Sequence, residues 1–187
     1  MSDWIHRLVA PSAIVISVGA IPCYATTYLT VGQAQKICFP DATQFVPADV
    51  TLTRRQMKAI QKDSGVWVRL PTEKVWRAVL ADGHPGNRFL GWFIADEVLG
   101  KHEYIHWALA LNANGSVRQI EILVYKETYG YQVRETKWRA QFTGKQHGAR
   151  LKLGADVKNI SGATLSCRHL TDGVKRLLSF YALVLKH

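Results

Sequence analysis

Between positions 105 and 124 the chain reads as two strands joined by a tight connection, and no other stretch limits the fold as much. Ile105, Trp107, Leu109 and Leu111 alternate to one side, the period of two that a half-buried strand requires. Asn112-Ala113-Asn114-Gly115 supplies turn residues. Ile120, Ile122 and Val124 then alternate on the return, with Gln119 and Glu121 opposite. Runs joined by so few residues pair antiparallel, because a parallel pair needs a long crossover. A sheet built on this hairpin has an apolar face that something must cover.

The C-terminal stretch offers that cover. Leu165, Leu170, Val174, Leu177, Leu178, Tyr181 and Leu185 recur at threes and fours, one face of an amphipathic helix. Residues 66–70, 75–80 and 89–98 are rich in β-branched and aromatic side chains and are expected as further strands. Asp82-Gly83-His84-Pro85-Gly86 between the last two is turn chemistry. A short helix is expected over 51–63, with Leu52, Met57 and Ile60 on one side and Gly65 ending it. Residues 26–47 read as a short helix or an irregular lead-in, broken at Pro40 and Pro47. Hydrophobic residues make up 48% of the chain, enough for a core and too many for a disordered class. The expected fold is α+β, an antiparallel β-sheet packed with helices. Its expected parts are a segment 1–25, a helical lead-in 26–65 and the main domain 66–187.

Ser161-Gly162-Ala163-Thr164 stands where that last helix should begin. The two hydroxyls can cap free N–H groups, and the small residues let a bulky anion reach the backbone. The spacing fits a plain helix cap or a phosphate seat. A helix N-terminus gives an anion roughly 0.3–1 kcal/mol, and about 2 when partly buried. Micromolar retention needs about 8 kcal/mol. A cofactor held here would need something stronger, such as a bond to the Thr164 oxygen.

Ser161-Gly162-Ala163-Thr164, followed by Leu165-Ser166, resembles the attachment motif of the FMN-binding domain family. That family includes the covalently flavinylated subunits of sodium-pumping and Rnf-type membrane oxidoreductases. Tyr125-Lys126-Glu127-Thr128-Tyr129-Gly130, then Trp138, Gln141-Phe142 and Gly144-Lys145, resemble its usual approach to the motif. The resemblance implies FMN as cofactor, held through a phosphoester on Thr164 that a FAD-dependent FMN transferase installs. It implies that Ser161, Gly162 and Ala163 surround the attachment. The loop of Glu127, Thr128 and Gly130 is then expected against the flavin, Gly130 by close approach and the other two by polar contacts. Lys145 is read either as approaching the phosphate or ring or as a solvated lysine. Tyr129, Tyr131, Trp138 and Phe142 are candidates to flank the ring, although Phe142 is expected in the core. In many members an Asp stands three residues before the motif serine; here that place holds Lys158, with Asp156 and Asn159 nearby.

The implied function is an exported electron carrier rather than an enzyme, relaying electrons between a membrane reductase and extracytoplasmic acceptors. Its expected partners are the transferase and membrane redox proteins. The alternative is a module that uses FMN non-covalently, as a sensor or in assembling a membrane redox complex. Export is expected from the N-terminus: Arg7 precedes an apolar run over 8–20, and Cys23-Tyr24-Ala25 resembles a cleavage site. The run fits either a cleaved signal or an uncleaved anchor, in a periplasmic or extracytoplasmic protein. The net charge of +10 is dispersed, and no zinc-finger spacing or RNA-binding signature is present, so nucleic acid is not an expected partner. A spread positive charge suits acidic redox partners or contact with a membrane surface. If residues 1–25 are removed, Cys38 and Cys167 remain, either as a pair or as two thiols. The seven histidines show no metal-ligand spacing.

Overall fold

A computed structural model describes residues 26–81 and 87–186. The expected export segment and the turn at 82–86 lie outside the described residues. Seven strands form one antiparallel sheet: β1 (Thr26–Thr27), β2 (Gln44–Pro47), β3 (Val50–Thr51), β4 (Thr72–Leu80), β5 (Arg88–Leu99), β6 (Tyr104–Asn112) and β7 (Val117–Tyr125). Their order is β1-β7-β6-β5-β4-β2, with β3 also pairing β4. Helices α1 (Val31–Cys38), α2 (Arg54–Ser64), α3 (Thr136–Arg139) and α4 (Thr164–Phe180) complete the α+β fold.

Both faces of the sheet are covered. On one, Ala34, Cys38 and Phe39 of and just after α1 pack on Ala78, Phe93, Ala108 and Ala110. The alanines of β6 leave room for that helix, so β6 is apolar on both sides. On the other face, α2 and α4 close over Ile94, Trp107, Leu109 and Ile120. Cys38 and Cys167 belong to these opposite layers, and both are free thiols. Burial pushes the Cys38 thiol up to about 12, so it is inert as a nucleophile.

Local signals set the helix ends. Thr30 with Gln33 and Thr53 with Gln56 form reciprocal capping boxes on α1 and α2, each satisfying two orphan donors. Gly65 ends α2 at φ 71, as a left-handed C-cap requires. Gly173 lies mid-helix in α4, where glycine is unfavourable. A Cβ there would stand 2.7 Å from Trp107 Cζ2, so the glycine lets α4 settle onto the sheet. Beyond α4 the chain continues as a π-turn, Tyr181–Leu185.

Three expectations change. Residues 66–70 are not a strand, because β5 fills one edge of β4 while β2 and β3 fill the other. The lead-in 26–65 is not only helical: it supplies β1, β2 and β3 to the same sheet. Val124 does not share a face with Ile120 and Ile122. The β6–β7 register shifts between His106 and Trp107, so Val124 packs in the α1 layer and Tyr125 turns toward α4. Among the described residues, no helix is long and apolar enough to cross a membrane.

Candidate functional site

The site forms at the end of the sheet where β5 and β7 finish and β6 starts. α4 begins there, with Ser166 Oγ 3.3 Å from the Tyr125 hydroxyl. It ends at the opposite edge, where the Tyr181 hydroxyl donates to the Ala113 carbonyl. The register shift in β7 aims Tyr125 at α4. Its hydroxyl donates to the Tyr129 carbonyl at 2.5 Å, folding the following loop back over the helix start. Burial raises the Tyr125 phenol above its usual range, so it remains a donor at neutral pH.

Gly130 completes the contact. Its φ is +88, and an added Cβ would lie 2.7 Å from Ala163 Cβ and 2.6 Å from the Tyr125 hydroxyl. Backbone therefore touches the motif directly, which any side chain would prevent. Glu127 faces the neighbouring turn. One of its carboxylate oxygens accepts from the His102 and Glu103 amides, at 2.6 and 3.0 Å. Burial would raise that carboxyl, but the Glu103, His102 and Lys101 amides outweigh it and hold it below its usual range. Glu127 thus joins the turn at 100–103 to the loop at 127–130 as an ionised carboxylate. Thr128 is exposed in the same loop.

The motif has its own geometry. The Ala163 amide donates to the Ile160 carbonyl at 3.0 Å, with Gly162 at φ +81 and open space around it. Thr164 is the first residue of α4; its N-cap is Ala163, and no side chain caps the helix. The plain capping role for Ser161 and Thr164 is therefore absent. The amides of Thr164, Leu165 and Ser166 have no acceptor within the helix, and its first turn carries no acidic residue. The exposed Thr164 hydroxyl instead accepts from the Asn159 side-chain amide at 3.1 Å.

Two side chains fix the backbone just before Asn159. The Lys158 amide donates to Gln141 Oε1, and Trp138 Nε1 donates to the Lys158 carbonyl, both at 2.8 Å. Trp138 packs edge-on against Phe142, so both rings serve the core. Tyr129 and Tyr131 remain exposed. Asp156 is engaged elsewhere: both its oxygens accept from Arg150, at 2.8 and 2.6 Å. That guanidinium and the Lys152 amide hold the Asp156 carboxyl at about 2.

Of the residues singled out from sequence, Ser161, Gly162, Ala163, Thr164, Glu127, Thr128 and Gly130 gather at this one end. The Lys145 backbone is tied elsewhere, although its ammonium group lies close enough to the Asp156 carboxylate to help lower that pKa. The Lys145 carbonyl accepts from Val117 at the start of β7, whereas the motif meets Tyr125 at that strand's end. Seven residues lie between Val117 and Tyr125, a strand roughly 26 Å long. Tyr125, Ser166 and Asn159 were not recognised as site residues. Their readable signal was position alone: Tyr125 and Ser166 stand inside the runs that resemble the family, and Asn159 lies just before the motif. A pocket of about 800 Å³ opens farther along α4, reaching Gly173 and Arg176, and Thr164 is not part of its lining.

The free amides, positive helix end, exposed hydroxyl and open glycine suit the phosphate end of a nucleotide cofactor. Comparison with known proteins agrees. Residues 100–179, which carry the Glu127–Gly130 loop and the motif, match the FMN-binding domain family. FMN is the cofactor of that family. None of the curated proteins matches the chain. Among solved structures it is similar to the crystal structure of Shewanella oneidensis NqrC, with a TM-score of 0.44 and 20% identity. That alignment covers 76% of this chain and 66% of the other.

Proposed function

From an FMN-binding domain over residues 100–179, we propose that the protein is an electron carrier holding FMN through a phosphoester on Thr164. The observation that carries this reading is the Thr164 hydroxyl, exposed at an uncapped helix start and oriented by Asn159. Bound FMN supplies the redox chemistry, taking electrons singly or as a pair. The chain's own residues do the rest. The α4 amides receive the phosphate, Asn159 orients the oxygen that bears the ester, and Gly130 brings the Glu127–Tyr129 loop close. Tyr125 and Glu127 keep both loops in register with the helix.

In this reading a FAD-dependent transferase installs the flavin. The carrier then works outside the cytoplasm, between a membrane reductase and extracytoplasmic acceptors. A covalent tether suits that compartment, where a released cofactor would diffuse away. One feature favours a second reading, a sensor or assembly module with non-covalent FMN. Lys158 stands where many family members have Asp, and Asp156 is committed to Arg150.

A visible spectrum before and after acid precipitation separates the readings. The carrier, matured with a transferase, should be yellow and keep its colour in the washed pellet. Colour released to the supernatant would support the second reading, and a colourless protein would reject both.

A further inference from the structure

The end of the molecule that carries Thr164 also exposes several large apolar and aromatic side chains. Leu99, Tyr104, Tyr129, Tyr131 and Leu165 are all large, apolar or aromatic, and exposed there, Tyr129 at 77% and Tyr131 at 58%. The topology groups them. Leu99 ends β5 and Tyr104 opens β6, and these two residues pair across the turn. Tyr129 and Tyr131 follow β7, and Leu165 is in the first turn of α4. β5 and β7 are two strand intervals apart, roughly 10 Å, so the five residues rim a single surface. At the far end, Tyr181 instead packs against Gly115, where a Cβ would meet its ring.

We propose that this rim rests on an anionic lipid bilayer, so that the Thr164 hydroxyl faces the membrane surface. Three observations select lipid as the occupant. The rim is rich in tyrosine and leucine, and amphipathic rings favour the bilayer interface. Lys101, Lys158 and Arg168 are exposed beside it, and an anionic surface attracts such cations. Of the acids in the same loops, Glu103 is exposed, while Glu127 is held by the turn amides. Finally, Thr26 pairs with Tyr125 at this same end, so the segment with the apolar run 8–20 joins the domain next to the rim. A bilayer that takes up that run lies against this face.

The inference specifies where the proposed carrier meets the membrane, and it can fail independently of the flavin linkage. The test is amide hydrogen exchange on the full chain without flavin, free and with vesicles of phosphatidylcholine and phosphatidylglycerol. Slowing should appear in peptides spanning 99–104, 127–131 and 160–166, and not in the hairpin turn 112–116. Changing Tyr129→Ser together with Tyr131→Ser should remove most of the slowing at 99–104. Vesicle-bound protein whose rim amides exchange as fast as in solution would overturn the proposal. So would protein that stays unbound, or protection that appears only when a second protein is added. A colourless or unmodified mature protein would reject the flavin reading and leave this footprint unchanged.

Discussion

Replacing Arg176 by Met should destabilise the fold by about 3–5 kcal/mol, the range for leaving a buried charge unpaired. Arg176 projects from α4 into the core, where its guanidinium binds Glu73 and, at 2.8 Å, Asp96 Oδ1. All three side chains are largely buried, and Asp96 Oδ2 has no partner even with the arginine present. Without it, two like charges would face each other in a poor solvent for either. Burial is the main force raising the Glu73 carboxyl above its usual range, and Arg176 opposes it.

The pH dependence follows from that direction. A carboxyl whose folded pKa is raised binds its proton more tightly in the folded state. Its contribution to stability is therefore present at low pH and is lost as pH rises through the folded value. Removing the guanidinium should raise that value further, so the variant should recover stability between neutral pH and about pH 5. Urea unfolding at both pH values measures this. A variant within 1 kcal/mol of the parent would show that the cluster is not carrying an unpaired charge. Adding Glu73→Gln and Asp96→Asn should restore part of the loss.

The second large effect is expected at the site. Gly130→Ala should cost about 1 kcal/mol for a side chain at positive φ, and roughly 1–3 more for overpacking. The Tyr125 hydroxyl can withdraw only by giving up the Tyr129 carbonyl. Ala163 cannot withdraw at all without moving the start of α4. Either response separates the Glu127–Tyr129 loop from the motif, so flavin content should fall together with stability. Gly144→Ala is the control, since an added Cβ there meets nothing within 4 Å, although its φ is +78. It should show the backbone cost alone, with flavin content unchanged. Equal flavin in the two variants would mean that the loop does not contribute to the site.

The hairpin, the C-terminal helix and the motif were legible because each rests on a local rule. Alternation, helical spacing and small residues before a helix can all be read along the chain. What escaped depends on partners distant in sequence. Residues 66–70 have strand composition, but both edges of β4 are already taken by β5 and by the β2 and β3 of the lead-in. Val124 follows the alternation of Ile120 and Ile122 until a register shift reverses it. That shift also creates the site's least predictable feature, the Tyr125 hydroxyl joining loop and helix. Lys145 follows the apparent approach to the motif in sequence, yet its backbone is bonded at the start of β7, the end opposite Tyr125. Ser161 and Thr164 look like caps, but the Ile160–Ala163 turn leaves Ala163 in the capping place and frees the Thr164 hydroxyl for Asn159.

The most direct measurement is the intact mass of the protein after maturation beside a competent transferase, followed by peptide mapping. One FMN should be added, located on the peptide containing Thr164, and it should be absent in Thr164→Ala while Ser161→Ala retains it. An unmodified mass, or an adduct that survives Thr164→Ala, would contradict the account.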